Sequence, residues 1–155
     1  MNLPTEVRYR PYADWTDAEM AAIKENMAKS PWHATYHIEP KTGLLNDPNG
    51  FSYFNGKYHL FYQNWPYGPA HGLKQWVHTE SDDLVHFRET GVTLKPDTAH
   101  DSHGAYSGSA YPIGDELFLF YTGNVRDENW VRDPLQIGAF MDKEGNITKF
   151  KDVLI

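Results

Sequence analysis

The stretch HIEPKTGLLNDPNGFSYFNGKYHLFYQNW, residues 37–65, carries the strongest structural signals in the chain. Its second half holds two aromatic runs, FSYF and KYHLFYQ, separated by Asn55-Gly56. Asn-Gly is the dipeptide that most favours a two-residue type I′ loop, because both positions require positive φ. The stretch therefore predicts an antiparallel β-hairpin.

The first half of the same stretch presents a carboxylate in the run Asn46-Asp47-Pro48-Asn49-Gly50. Proline biases the preceding residue toward extended backbone, and Asn-Gly favours chain reversal. We expect a turn that holds Asp47 at the mouth of the sheet. A positioned carboxylate can attack the anomeric carbon of a sugar, so Asp47 is the candidate catalytic nucleophile. The same letters also describe an ordinary turn, and by themselves they favour that simpler interpretation.

The N-terminal part of the chain contains one clear helix signal. Residues 1–13 have no regular pattern, and we expect irregular structure there. Thr16 and Glu19 then form a capping-box pair, and Met20, Ile23 and Met27 recur at helical spacing. This pattern predicts a helix over about residues 17–29 within an N-terminal extension, residues 1–35.

The remainder of the chain, residues 36–155, contains a repeat of about sixty residues. QWVHTESDDLVHFRETGVTL predicts two more short strands after the hairpin, and SGSAYPIGDELFLFYTGN with QIGAFMDKEGNITKF then repeats the pattern. Repeated units of four antiparallel strands are blades of a β-propeller. The predicted fold is therefore all-β, with two propeller blades preceded by a short helix.

Two blades leave apolar faces uncovered, so we expect this chain to be the front part of a longer protein. The alternative is a self-sufficient small β domain that reuses a hairpin pattern by chance.

Composition excludes several functional classes. The chain has 155 residues, 40% hydrophobic, with a net charge of −7 and no basic run, so nucleic acid is not an expected partner. No apolar stretch approaches the length of a membrane span or a secretory leader. The absence of cysteine rules out disulfides and thiolate metal sites, and it suits a reducing compartment. We expect a cytoplasmic protein without a membrane partner.

Uncharged polar and aromatic side chains flank the loops around Asp47. Flat apolar faces combined with neutral hydrogen-bonding groups are typical of sugar pockets, although tryptophan and tyrosine also fill propeller cores. The residues of this set are Trp32, Tyr36, Asn46, Gln63, Trp65, Tyr67, Trp76, Tyr106 and Ser107.

The eight histidines do not form a recognisable metal-binding motif, so neither a metal nor another cofactor is predicted. A local cluster of His71, Lys74 and His78 could receive the anionic part of a ligand. A solvated charged face is the simpler interpretation of this cluster.

Several ordered motifs together resemble the start of the glycoside hydrolase family 32 enzymes, the invertase and sucrose-6-phosphate hydrolase group. These motifs are HIEPKTGLLNDPNG, YHLFYQ, AYSGSA and YTGNVRD. The stretches SPWHATYHI, PYGPAHGLKQWVHTESDDLVHF and PDTAHDSHGAYSGSA are more similar to bacterial sucrose-6-phosphate hydrolases than to secreted invertases. The resemblance extends from about residue 9 to residue 155.

The resemblance implies a five-bladed propeller followed by a β-sandwich, of which this chain would hold only the first two blades. It also implies retaining hydrolysis through a fructosyl-enzyme intermediate on Asp47, with sucrose 6-phosphate or sucrose as the small-molecule substrate. Substrate contacts would come from Leu44, Leu45, Asn46, Gln63, Trp76, Tyr106 and Ser107. His71 and Lys74 would receive the phosphate.

Two family features are absent or displaced. The acid/base glutamate of the family lies in a Glu-Cys motif, and this chain has no cysteine. Arg132-Asp133-Pro134 spells the family's transition-state-stabilising tripeptide but follows Asn124 too closely, so we interpret Asp133 as a surface loop residue. We expect both missing groups beyond residue 155 and the isolated chain to be inactive, with the remainder of the enzyme as a candidate partner. The alternatives are a non-catalytic carbohydrate-binding or partner-binding module and a fructosyltransferase.

Overall fold

The structure, a computed structural model, describes residues 3–155, and within them the chain forms two four-stranded antiparallel sheets. Both sheets follow chain order, β1-β2-β3-β4 and β5-β6-β7-β8, so each is a meander. Blade 1 consists of β1 Leu44–Phe54, β2 Lys57–Trp65, β3 Gln75–Ser81 and β4 Phe87–Leu94. Blade 2 consists of β5 Ala105–Ile113, β6 Glu116–Arg126, β7 Arg132–Met141 and β8 Ile147–Lys149. The prediction of two successive four-stranded units is confirmed.

The predicted hairpin lies at the start of blade 1. Asn55 and Gly56 both have positive φ, 48° and 78°, as a type I′ loop requires. Phe54 pairs with Lys57 directly across the loop. The local Asn-Gly signal therefore sets the register of β1 against β2.

The prediction of a turn at Asp47 is wrong, because residues 46–50 continue as part of β1. The strand carries two irregularities, between Asn46 and Pro48 and again between Asn49 and Ser52. Asn46 pairs with Gln63 and Pro48 with Tyr62, so Asp47 is the residue left without a partner, and the chain bulges there instead of reversing. Asp47 also has positive φ, 40°, and not the extended backbone expected from the proline that follows it.

The two blades pack face to face through an apolar core. Blade 1 contributes Phe61 and Trp76, and blade 2 contributes Leu119 and Tyr121, all of them buried. The rings of Trp76 and Tyr121 lie 6.0 Å apart. At Gly50 a Cβ atom would approach the Phe61 ring to 2.9 Å, so the absence of a side chain lets β1 lie close to this core.

The N-terminal segment is more ordered than its sequence predicts. It forms a short helix, α1 Thr5–Arg8, and a 3₁₀ turn at Tyr12–Asp14, each preceded by a proline whose restricted φ suits a helix start. Irregular structure over residues 1–13 was therefore a wrong prediction for these two elements. Residues 1 and 2 lie outside the described range.

The predicted helix is present as α2 Asp17–Ala28, and its capping box is formed as expected. The Glu19 N–H donates to Thr16 Oγ1 at 3.2 Å, and Glu19 Oε2 accepts from the Thr16 N–H at 2.8 Å. Trp15, just before the helix, stacks on Tyr67 with the ring planes 5° apart. The segment before the helix is thereby attached to the loop that joins β2 to β3.

Candidate active site

Asp47 lies where the two blades meet, and its carboxylate is held by groups from both. Asp47 Oδ2 accepts a hydrogen bond from Ser107 Oγ of β5 at 2.9 Å and one from Gln63 Nε2 of β2 at 3.1 Å. Gln63 Nε2 also donates to Ser107 Oγ at 2.9 Å. At the bulge Asp47 is exposed to solvent, while the hydrogen bonds from Ser107 and Gln63 hold its carboxylate in place.

Lys74 stands behind this arrangement. Its side chain is only 4% exposed, and its Nζ donates to Gln63 Oε1 at 3.0 Å. The hydrogen bonds therefore run in one direction, from the Lys74 ammonium to Gln63 and from Gln63 to the Asp47 carboxylate. Such a chain polarises each member and strengthens the last bond.

This environment favours the ionised form of Asp47. The hydrogen bond from Ser107 and the neighbouring Asn46 amide lower the pKa of the carboxyl below its usual value, which partial burial opposes, and the Lys74 charge and the Gln63 hydrogen bond lower it further. Burial lowers the pKa of Lys74 in turn, while the Asp47 charge partly offsets that effect. Asp47 is thus suited to act as a nucleophile and unsuited to donate a proton at neutral pH.

Asn46 and Tyr106 adjoin this carboxylate. Asn46 Nδ2 lies 3.4 Å from Gln63 Oε1, whereas Asn46 Oδ1 is buried without a hydrogen-bond partner in the described chain. A buried acceptor of this kind is costly to leave unpaired, so it is suited to a ligand hydroxyl. Tyr106 precedes Ser107 on β5, and its ring lies 5.1 Å from Lys74 Nζ.

Two of the predicted substrate contacts, Trp76 and Leu45, occupy other environments. Trp76 is fully buried and donates from Nε1 to the Tyr106 carbonyl at 2.9 Å, so the prediction that it contacts the substrate is wrong. Leu45 lines an apolar groove on the open face of blade 1. Adjacent strand residues point to opposite faces of a sheet, so the side chain of Leu45 lies on the other face of β1 from that of the half-buried Leu44.

The predicted cluster of His71, Lys74 and His78 does not form as one group. His78 is buried within blade 1, where His59 Nδ1 lies 2.8 Å from its Nε2 and Thr90 Oγ1 lies 2.6 Å from its Nδ1. His71 is exposed, and the nearby Lys74 charge lowers its pKa. Of these three residues, only His71 and Lys74 therefore lie beside Asp47.

Asp133 is exposed, as expected, but it belongs to β7 and not to a loop. It pairs with Val125 of β6. The β6–β7 ladder is long and continues through Pro134 and Asp133 to Arg132, so this segment is a strand. Asp133 makes no hydrogen bond or ion pair to Asp47 or its partners among residues 3–155.

Sequence reasoning missed two contributors to the site. Asn49 Nδ2 donates to the Asp47 carbonyl at 2.6 Å, and Asn49 Oδ1 accepts from the Gly108 N–H at 3.0 Å, so one side chain stabilises the bulge and joins it to blade 2. Tyr9 is the second, since its hydroxyl lies 3.3 Å from that of Tyr106. The Asn49–Gly108 and Tyr9–Tyr106 partners lie 59 and 97 residues apart, so no local sequence pattern marks these two contacts.

The N-terminal segment also supports the loop that carries His71 and Lys74. The Leu73 N–H donates to the Arg8 carbonyl at 2.7 Å, and Arg8 Nη1 donates to the His71 carbonyl at 3.1 Å. Tyr12 contributes a hydroxyl donor to the Leu73 carbonyl at 2.5 Å. The loop between β2 and β3 is therefore tied to residues that precede both blades.

Within residues 3–155 no three histidine, aspartate or glutamate side chains converge on a possible metal position. None of the helices in that range combines the length and the apolar character needed to cross a bilayer.

Comparison with known proteins identifies the family and the fold. Residues 37–155 match the N-terminal domain of glycosyl hydrolases family 32. The chain belongs to this family. It is 79% identical to the sucrose-6-phosphate hydrolase of Streptococcus mutans over all 155 residues, which are 32% of that protein. It therefore spans about a third of the length of the curated family 32 relatives it matches.

Two solved family 32 structures extend the comparison. The sucrose-6-phosphate hydrolase of Lactobacillus gasseri superposes with a TM-score of 0.95 at 49% identity, covering 99% of this chain and 32% of that one. A Bombyx mori β-fructofuranosidase solved with sucrose superposes with a TM-score of 0.70 at 33% identity, covering 88% of this chain and 30% of that one. The two sheets are thus the opening blades of a family 32 propeller domain, as the sequence resemblance predicts.

Proposed function

We propose that this chain is the N-terminal part of a retaining β-fructofuranosidase that hydrolyses sucrose 6-phosphate or sucrose. The observation that carries the proposal is the ionised Asp47 carboxylate, held by Ser107 and Gln63 and exposed to solvent. A carboxylate in this state is suited to attack an anomeric carbon, which develops positive charge as the glycosidic bond breaks.

In the proposed reaction an Asp47 oxygen bonds to the anomeric carbon of the fructosyl unit while the bond to the glucosyl oxygen breaks. A second carboxylic acid must give that oxygen its proton and later activate the water that releases fructose from Asp47. The family's Glu-Cys motif has no counterpart in a chain without cysteine. We assign that role to the two thirds of the relatives' length that this chain does not span, and expect the chain alone to be inactive.

The neutral groups around Asp47 are suited to binding the fructosyl ring. We assign hydrogen bonds with its hydroxyls to Asn46 and Gln63, and further contacts to Leu44, Tyr106 and Ser107. Neutral donors fix hydroxyl groups without quenching the positive charge that develops on the ring. The unpartnered Asn46 Oδ1 supports this assignment.

We propose sucrose 6-phosphate as the preferred substrate, with Lys74 contributing a positive charge beside Asp47 and His71 a neutral hydrogen-bonding imidazole. Two of the relatives described above are sucrose-6-phosphate hydrolases, which supports this choice. A phosphorylated sugar is charged and does not cross membranes freely, so the proposed location of the enzyme is the cytoplasm.

The test uses a chimeric enzyme in which this chain replaces the matching first third of the Streptococcus mutans sucrose-6-phosphate hydrolase. Asp47→Asn keeps the shape of the side chain and removes the nucleophile, so fructose release should fall by roughly 10³-fold or more. Asp133→Asn is the matched control, and it should leave the rate nearly unchanged.

Fructose release that survives Asp47→Asn would contradict the proposed nucleophile. Sugar binding without turnover by the unsubstituted chimera would instead support the carbohydrate-binding alternative.

A further inference from the structure

The arginines of the chain fall into two groups. Arg10 and Arg88 form ion pairs with Glu19 and Glu80. The other three, which are Arg8, Arg126 and Arg132, have no carboxylate partner within residues 3–155. In a protein with a net charge of −7, unpaired guanidinium groups gathered near one site point to a ligand.

Arg126 and Arg132 face each other directly at the end of the β6–β7 ladder, where they are register partners. Like charges at directly opposed positions of an antiparallel pair are destabilising. No side chain among the described residues neutralises them: Arg126 donates from Nη1 to the Trp130 carbonyl at 2.8 Å, and its Nε is buried without a partner. The arrangement is one that a bound anion would stabilise.

Tyr106 connects this arginine pair to the catalytic region. The Arg132 guanidinium lies 5.1 Å from the Tyr106 ring, and so does Lys74 Nζ. The positive charge of Arg132 is near enough to lower the pKa of Lys74. Ser107, the next residue on β5, donates to Asp47, so an anion at the two arginines would lie beside the sugar site.

Arg132 is better suited than Lys74 to bind a phosphate directly. Lys74 is buried and already donates to Gln63, whereas Arg132 is exposed and its guanidinium donates to no protein group among residues 3–155. A guanidinium presents a planar pair of donors that matches two phosphate oxygens. Stacking on Tyr106 orients this group before a ligand arrives.

We propose that Arg126 and Arg132 bind the phosphate of the substrate and make the enzyme prefer a phosphorylated sugar. The proposal rests on the function proposed above for Asp47. It assigns to Lys74 the different task of polarising Gln63. Arg132-Asp133-Pro134, which spells a catalytic tripeptide of the family, thus acquires a separate role through its first residue.

The experiment measures kcat/KM of the chimeric enzyme for sucrose 6-phosphate and for sucrose. Substituting both arginines, Arg126→Gln with Arg132→Gln, should lower kcat/KM for sucrose 6-phosphate by roughly tenfold or more, mainly through KM. The value for sucrose should change by less than about twofold, because its glucosyl unit carries no charge. Arg88→Gln, which removes an ion-paired arginine of β4, should leave both values unchanged.

A second measurement reads the anion site without turnover. Inorganic phosphate should raise the thermal midpoint of the unsubstituted chimera and of Arg88→Gln, and this shift should be lost in the double variant. If the phosphate-induced shift survives the double substitution, or if the preference for sucrose 6-phosphate does, the proposal is wrong. A double variant that is less stable but equally selective would show that both arginines pair with a carboxylate elsewhere in the enzyme, which also overturns it.

An unsubstituted chimera that releases no fructose would count against the function proposed for Asp47. The phosphate-induced shift would still decide whether the arginines bind the anion, so the two proposals fail separately.

Discussion

Blades 1 and 2 have the same strand order but differ in the side chains that they bury. The motif Leu60-Phe61-Tyr62 on β2 is repeated as Leu119-Phe120-Tyr121 on β6, and the tyrosines pair with Val77 and Ile137 at equivalent positions. Around this shared centre blade 1 buries many polar side chains, whereas the buried part of blade 2 is mostly apolar.

Two equivalent positions illustrate the difference. Gln63, which holds Asp47, corresponds to Thr122, which pairs only with Gln136. The buried pair of His59 and His78 corresponds to Phe118 and Gly138. The same fold unit can therefore carry a buried polar network or an apolar core, and a few side chains per blade decide which.

The first prediction concerns the hydrogen-bond network around Asp47. Gln63→Leu should lower the kcat of the chimeric enzyme roughly a hundredfold to a thousandfold, because a donor fixed on the Asp47 carboxylate is lost. Thr122→Val, at the equivalent position of blade 2, should change kcat by less than about twofold. Steady-state rates with circular dichroism as a folding check would test this. Equal losses in both variants would mean that the two blades contribute alike to catalysis.

The second prediction concerns the repeated leucines. Leu119 is fully buried between the blades, whereas Leu60 is half-buried on the open face of blade 1. Leu119→Ala should therefore lower the free energy of unfolding of this chain by about 2–5 kcal/mol, because it removes buried apolar contacts and leaves a cavity. Leu60→Ala should cost less than half as much. Urea unfolding of both variants gives the comparison, and equal costs would contradict the inferred packing.

The hairpin of blade 1 and helix α2 were predictable because their signals are local. Asn55-Gly56 needs only two residues to specify a loop, and Thr16 with Glu19 needs four to begin a helix. The backbone at Asp47 was not predictable in this way. A proline followed by Asn-Gly is compatible with a turn and with a strand bulge, and the choice depends on pairing with β2.

The candidate site was predictable only in part. Gln63 and Ser107 were named as polar groups near the Asp47 loops, but only the family resemblance gave them specific substrate contacts, since they lie 16 and 60 residues from Asp47 and no sequence period links them. Trp76 was assigned to the pocket because an indole suits sugar binding, but the core between the blades takes up the same ring. His78 was grouped with Lys74 because the two are four residues apart in the sequence. Lys74 lies in the loop before β3 and His78 lies within β3, and closeness in sequence does not by itself bring two side chains into one site.

The last prediction uses that buried histidine pair, which only blade 1 contains. Burial lowers the pKa of His78 to about 4, with the His59 and Arg88 charges acting in the same direction and Glu80 opposing them. An unfolded histidine titrates near 6.5, so below that pH the unfolded chain binds a proton that the folded chain resists. The contribution of His78 to the free energy of unfolding is therefore greatest above about pH 6.5. It decreases as the pH falls, by about 2 kcal/mol at pH 5 and about 3 kcal/mol at pH 4.

His78→Phe should remove this part of the pH dependence while other groups continue to titrate. The matched control is His86→Gln, because His86 is exposed on the turn before β4 and is outside the buried pair. Urea unfolding at intervals between pH 7 and pH 4 would measure the difference between each variant and the unsubstituted chain. A His78→Phe curve that runs parallel to the unsubstituted one would mean that His78 takes up its proton without resistance in the folded state. The burial of His78 would then not control its charge.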